Sequence, residues 1–210
     1  LLVLDAKDEF SKKPLFLEAW TEHYPDHLEW RSASDFGRTI SVDPATMTLS
    51  TDFDDIKADV ANVIPPQKAG LIAERAGVAN ETGWCPINPL DFSSPLQPNI
   101  HVIGDATIAA PMPKSAFSAN LQGKLCALQI ARALSGKTLA PTVLANTCYS
   151  YTTPDEAVSI TGVYNNGGSS ISSVEGAGGV SPYGADFSVR NAEAEQAEAW
   201  FATITSDTFG

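Results

Sequence analysis

The chain has 210 residues, 43% of them hydrophobic, which is enough to bury a sizeable core and too apolar for a disordered chain. Twenty-five acidic residues against 13 basic ones leave a net charge of −12, which argues against nucleic acid or an anionic membrane as partner and favours a cationic one. No apolar run reaches the roughly 18 to 20 residues of a membrane-spanning helix, and three cysteines without C-x-x-C spacing beside three histidines argue against a metal site.

Leu1-Leu2-Val3-Leu4-Asp5 opens the chain as a buried parallel strand closed by an acid. No initiator Met, positive segment or cleavage site precedes it, so the expectation is a strand cut from a longer polypeptide. An acid at such a strand end can hold a ribose hydroxyl, yet no glycine fingerprint precedes Asp5, and Asp8 to Lys13 follows without a phosphate-cradling glycine. Phe16, Ala19, Trp20 and Tyr24 recur at helical spacing and predict a packed helix. Leu28-Glu29-Trp30, Thr39 to Val42 and Thr48 to Thr51, with a turn at Asp43-Pro44, predict a small β-meander. Ala58 to Ile64 reads as another buried strand, stopped by Pro65-Pro66. That fixed backbone suits Ile64 and Pro65 equally to face a flat cofactor or to form a rigid linker. Leu71 to Ala76 predicts a short helix ended at Gly77.

Pro98 to Ala106 is the most informative stretch. An apolar strand delivers Gly104 and Asp105 at its carboxyl end, where open α/β sheets bind ligands; the glycine admits a close approach and the acid can accept sugar hydroxyls. Pro111-Met112-Pro113-Lys114-Ser115 then leads into a long helix with Phe117, Leu121, Leu125, Leu128 and Ala131 on one stripe, ended at Gly136. The free N–H groups of its first turn, reinforced by Lys114, favour negative charge near Asp105.

Of the cysteines, Cys126 lies inside that helix and reads as core, while Cys85 and Cys148 stay open between a buried small hydrophobe and a redox thiol. The odd count leaves at least one thiol unpaired in this chain. Residues 141–210 hold eight acids against the single base Arg190, a net of −7, together with Gly-rich loops and an acidic helix over Asn191 to Ile204 that carries Trp200 and Phe201. That face reads either as solvated or as a docking surface for a partner of complementary charge.

Strand, Gly104-Asp105 and helix together resemble the second FAD motif of the glutathione reductase-like flavoproteins, a family with two dinucleotide-binding domains. Ala58 to Gln67, Gly83-Trp84-Cys85-Pro86, Gly104-Asp105-Ala106, Pro111 to Ser115 and Asn146-Thr147-Cys148-Tyr149-Ser150 narrow this: the chain resembles the flavin subunit of flavocytochrome c sulfide dehydrogenase, and more distantly sulfide:quinone oxidoreductase. The resemblance runs through Gly210 and implies an α/β chain, α+β at its C-terminus. Residues 1–65 correspond to the later part of a central NAD-like domain, 66–140 to the returning FAD domain, and 141–210 to a C-terminal interface domain.

The resemblance also implies an FAD held at Gly104, Asp105, Lys114, Ser115, Ile64 and Pro65, where Lys114 and the helix start would meet the negative pyrimidine end of a reduced ring. It places the pyrophosphate-gripping glycine loop, the covalent flavin tether and one redox cysteine in an N-terminal half of the same flavoprotein. Sulfide is then the substrate, Cys148 the cysteine of a redox disulfide with Cys85 as runner-up, and a periplasmic c-type cytochrome, sole carrier of haem, the electron acceptor. A pyridine-nucleotide:disulfide reductase of the same fold and a non-catalytic interface module with degenerate flavin residues are the competing expectations. Against the former, no basic cluster follows Asp5 and no C-x-x-C is present.

Overall fold

A computed structural model describes residues 1–210. Strand β1 (Leu2–Leu4) and strand β2 (Glu29–Arg31) pair in parallel around helix α1 (Lys13–His23). The aromatic spacing of α1 packs as its period requires: Phe10, Phe16, Trp20 and Trp30 form one ring cluster with centroids 5.6 to 6.1 Å apart. Asp5 is occupied locally, accepting from the backbone N–H of Lys7 at 3.0 Å and the Trp30 indole at 3.4 Å.

The meander is real but differently composed. Strands β3 (Thr39–Asp43), β4 (Thr48–Thr51) and β5 (Asp55–Lys57) pair antiparallel in that order, whereas Leu28-Glu29-Trp30 joins β1 instead. The expected strand over Ala58 to Ile64 does not form. β5 has already used that edge of β4, no further strand lies alongside, and Val60 and Ile64 are 84% and 77% exposed. Helix α2 (Leu71–Arg75) ends as expected, with Gly77 at φ 69° immediately beyond it.

Pro98 to Ala106 also departs from expectation. It is held by single bonds, Ser94 N to Ile100 O and Val102 N to Phe92 O, and by one bridge from His101 to Ser93, and it closes in a 3₁₀ turn at Gly104–Ala106. With one short irregular partner there is no ladder to make it a strand. Helix α3 (Ala116–Leu134) forms as expected, but rotated. Its buried line is Ser118, Gln122, Cys126 and Gln129, while Leu128 is 47% exposed and Ala131 is exposed. The buried glutamine Gln129 exchanges two hydrogen bonds with the backbone of Ala140, so its burial leaves no polar group orphaned.

The C-terminal part is built on a long antiparallel hairpin, β6 (Val143–Thr153) and β7 (Glu156–Asn165), extended by β8 (Ser172–Ser173) and β9 (Gly179–Val180), both paired to β7. Sequence reasoning did not single out this hairpin, although Val143 to Thr153 is rich in β-formers and Pro154-Asp155 supplies the turn. Nor are all the glycine-flanked loops surface features. Asn166 is fully buried and tied to Thr142 and Pro89.

Helix α4 (Phe187–Phe209) is longer than expected at both ends, and at the first Asp186 caps it five residues upstream of the expected start. It packs on one face of the hairpin through Tyr149 and Tyr151, while α1 and α3 cover the other. Arg190, 6% exposed, joins α4 to α1 by donating to Glu18 at 3.2 Å and to the Pro182 carbonyl at 2.9 Å. The larger core cluster gathers Phe92, Met112, Cys126, Leu144 and Tyr164 beneath α3; a smaller one gathers Ala69, Ala73, Val78 and Cys85.

Candidate functional site

Cys148 lies in the middle of β6, paired with Ile160 of β7. Alternation along a strand puts residues 144, 146, 148, 150 and 152 on one face, the one covered by α1 and α3. Leu144 and Asn146 are buried on this face, and Cys148 and Ser150 are partly open. Three polar contacts define the surroundings of the thiol. Asn146 Nδ2 donates to Cys148 Sγ at 3.2 Å. The Lys12 ammonium donates to the Cys148 carbonyl at 3.0 Å and to Ser150 Oγ at 2.8 Å. Tyr164, buried at 7%, shares the same face opposite Leu144.

The start of α3 meets this row from the other side. Ser115 caps the helix by accepting from Ser118 N at 3.1 Å, and its hydroxyl donates to Asn146 Oδ1. Ser118 Oγ donates to the same oxygen at 3.2 Å. With both hydroxyls on its oxygen, the amide turns its NH₂ group toward the sulfur. Burial holds Lys12 below the usual lysine range, against the opposing pull of Cys148 and Glu193. Burial, then Cys148, raises Tyr164.

Beside Ser115 lies a cavity of about 190 Å³ lined by Trp84, Gly104, Met112, Lys114 and Gln122 among others. Gly104 lines it at φ 72°, and its N–H is held by the buried Gln122 Oε1 at 2.7 Å. Lys114 does not reach the carboxylate of Asp105. It donates to the carbonyls of Asp105 and Thr107 and lies 3.7 Å from the Trp84 ring centroid. Burial lowers it, while Asp105 and Cys85 oppose that shift. The Asp105 carboxylate is exposed and accepts no hydrogen bond from the protein. Ile64 and Pro65 are exposed and do not line this cavity.

The remaining thiols are enclosed. Cys85 is fully buried in the smaller core cluster, its backbone bridged to Ala106 and Ile108, and burial pushes its thiol up. Cys126 packs in the larger cluster and is raised by burial too. All three cysteines are unpaired in this chain, and no group of three or more acidic, histidine or cysteine side chains converges on a metal-sized site. Asn146 stood in the quoted motif, and strand alternation alone would have put it beside Cys148; nothing in the sequence signalled Lys12.

The cavity thus offers one ammonium, Lys114, among apolar groups and backbone, just ahead of the start of α3. Two protein-family models match the chain, on either side of the residues that line this cavity. The model described as "Flavocytochrome c sulphide dehydrogenase, flavin-binding" matches residues 140–209, and the one described as "Sulfide dehydrogenase [flavocytochrome c] flavoprotein chain, central" matches residues 1–65. The two ends of the chain, one carrying Lys12 and the other Cys148, thus match two parts of one protein type, and the chain belongs to the family of the flavocytochrome c sulfide dehydrogenase flavoprotein chain.

Proposed function

We propose that this chain is the sulfide-oxidising, cytochrome-coupled part of an FAD-dependent sulfide dehydrogenase, with Cys148 as its redox cysteine. The observation that carries the reading is the arrangement of Cys148: a partly open thiol on a strand face, with an oriented amide donor on the sulfur and an ammonium on its own carbonyl. Cys85 and Cys126 lack both features and are shut into apolar clusters. A hydrogen-bond donor beside a sulfur can hold the negative charge that disulfide exchange leaves on it.

In the proposed step Cys148 is joined in a disulfide to a cysteine outside these 210 residues. Hydrosulfide attacks one of the two sulfurs, a new S–S bond forms to it as a persulfide, and the old S–S bond breaks to leave the other sulfur as a thiolate bearing the electron pair. Asn146 and Lys12 are placed to hold that charge when it falls on Cys148. FAD, when bound, supplies the change from two-electron to one-electron transfer that a haem acceptor requires.

Gly104, Asp105, Lys114 and Ser115 would hold the ring edge and the sugar-alcohol chain from this side. In this reading residues 66–140 are the returning FAD domain and would carry these groups. Ile64 and Pro65 belong to the same proposal only where a further part of the flavoprotein covers them. The glycine loop for the pyrophosphate, the covalent tether, the periplasmic location and a haem carried only by a c-type cytochrome rest on the family alone.

The test is Cys148→Ser in the whole flavoprotein. Flavin content should be unchanged and most sulfide-dependent cytochrome reduction lost, with flavin bleached by sulfide but not by NADH in the parent protein. Normal turnover in Cys148→Ser, with an inactive but flavin-replete Cys85→Ser, would move the relay to Cys85.

A further inference from the structure

Lys12 occupies a position that local preferences disfavour in three ways. It is the N-cap of α1, where Ser, Thr, Asp, Asn or Gly is preferred, and its side chain makes no cap. Its backbone lies at φ 63° and ψ 19°, the left-handed region that favours Gly and Asn. Its charge is positive at the positive end of a helix. A strained residue of this kind points to a use for its side chain.

That side chain reaches 136 residues along the sequence to β6. Ser150, whose hydroxyl it contacts, projects from the same face as Cys148, two positions away in an unbroken stretch of the ladder. Two of its three N–H groups are thereby used, on a carbonyl and a hydroxyl, and the third has no protein partner. No carboxylate pairs with this half-buried ammonium, although the chain carries 25 acids. The charged and titratable groups facing it are few. Besides Cys148 there is Glu193 of α4, which is committed to the hydroxyls of Ser159 and Ser181 and lies 3.8 Å from Arg190.

An unneutralised, half-buried cation beside a reactive sulfur is suited to a small anion. In a chain of net charge −12, hydrosulfide approaches against the overall field unless a local cation receives it. We propose that Lys12 is the anion-receiving residue of the Cys148 site, its free N–H drawing a small monoanion such as hydrosulfide to the open face of β6. The inference rests on Cys148 as the reacting sulfur for its bearing on turnover, but not for its test.

That test compares alkylation of Cys148 by anionic iodoacetate and neutral iodoacetamide in the reduced whole protein, with the labelled site assigned by mass spectrometry. In the parent protein the iodoacetate:iodoacetamide rate ratio should fall with added salt. It should drop several-fold in Lys12→Met and in Lys12→Gln, which keeps polar atoms near Cys148 and Ser150. Lys12→Arg should restore it, and Lys137→Met, which removes the same charge from the exposed segment after α3, should leave it unchanged. In turnover, Lys12→Gln should raise KM for sulfide more than it lowers kcat. A ratio in Lys12→Gln equal to the parent's, in a protein with the parent's melting temperature, overturns the inference. If the ratio drops as expected but Cys148→Ser still oxidises sulfide, the anion site stands and the relay reading fails.

Discussion

Asn146 Nδ2 lies 3.2 Å from Cys148 Sγ, and the same amide's oxygen is gripped by two hydroxyls at the start of α3. The bond therefore ties the thiol to the helix that lines the neighbouring cavity. Asn146→Ala should leave the Ser115 and Ser118 hydroxyls with only each other and the cap bond as partners and cost about 2 kcal/mol in urea unfolding. Asn146→Asp can still accept from both hydroxyls but places a carboxylate against the sulfur. It should lose less stability than Asn146→Ala yet alkylate Cys148 more slowly than the parent. Faster alkylation in Asn146→Asp would show that the amide is not aimed at the thiol.

Gly162, opposite Asn146 on β7, makes room for Tyr164. A Cβ there would lie 2.3 Å from the Tyr164 hydroxyl and 2.8 Å from the ring carbon that bears it. Because Tyr164 is 7% exposed and packed in the larger core cluster, its ring has little room to retreat. Gly162→Ala should destabilise by about 1 to 3 kcal/mol, measured by denaturant unfolding. Adding Tyr164→Phe removes the nearest atom, so the double variant should lose less than the sum of the two single losses. Simple additivity would count against the contact.

Asp186 caps α4, accepting from Val189 N at 3.2 Å and Ser188 Oγ at 2.7 Å, and the Ser188 and Val189 hydrogen bonds hold its carboxyl below the usual 3.8. A carboxyl lowered in the folded state binds fewer protons there than in the unfolded chain. Its contribution is therefore complete above the unfolded value and is lost as pH falls below 3.8 through the folded one. Asp186→Asn keeps a cap without a titrating group, so its thermal midpoint should fall less steeply than the parent's below that pH. Parallel curves for the two proteins would show that the cap does not titrate in this way.

Much of this arrangement was legible in the sequence because it depends on local rules. The spacing of Phe16, Ala19 and Trp20 predicted α1, Ser115 before an apolar repeat predicted the start of α3, and Gly77 predicted the end of α2. Each of these follows from backbone geometry and neighbours a few residues away. The cavity residues Gly104 and Lys114 were legible too, because a positive-φ glycine and a cation before a helix are local features. The chemistry around Cys148 was legible only as a motif.

What the tertiary structure alone decided is which groups satisfy one another. The apolar stripe of α3 pointed to Leu128 and Ala131, yet the helix buries Ser118, Gln122 and Gln129, because Asn146, the N–H of Gly104 and the backbone of Ala140 wait there as partners. Ala58 to Ile64 has the composition of a strand and is none, since a strand needs a neighbour's ladder and β5 had taken it. Lys12 sits against its own backbone preferences because Cys148 and Ser150, far along the chain, supply what its local surroundings deny. Periodicity and caps are local energies that a sequence states directly; the pairing of buried polar groups is non-local, and only the folded chain brings the partners within reach of a hydrogen bond.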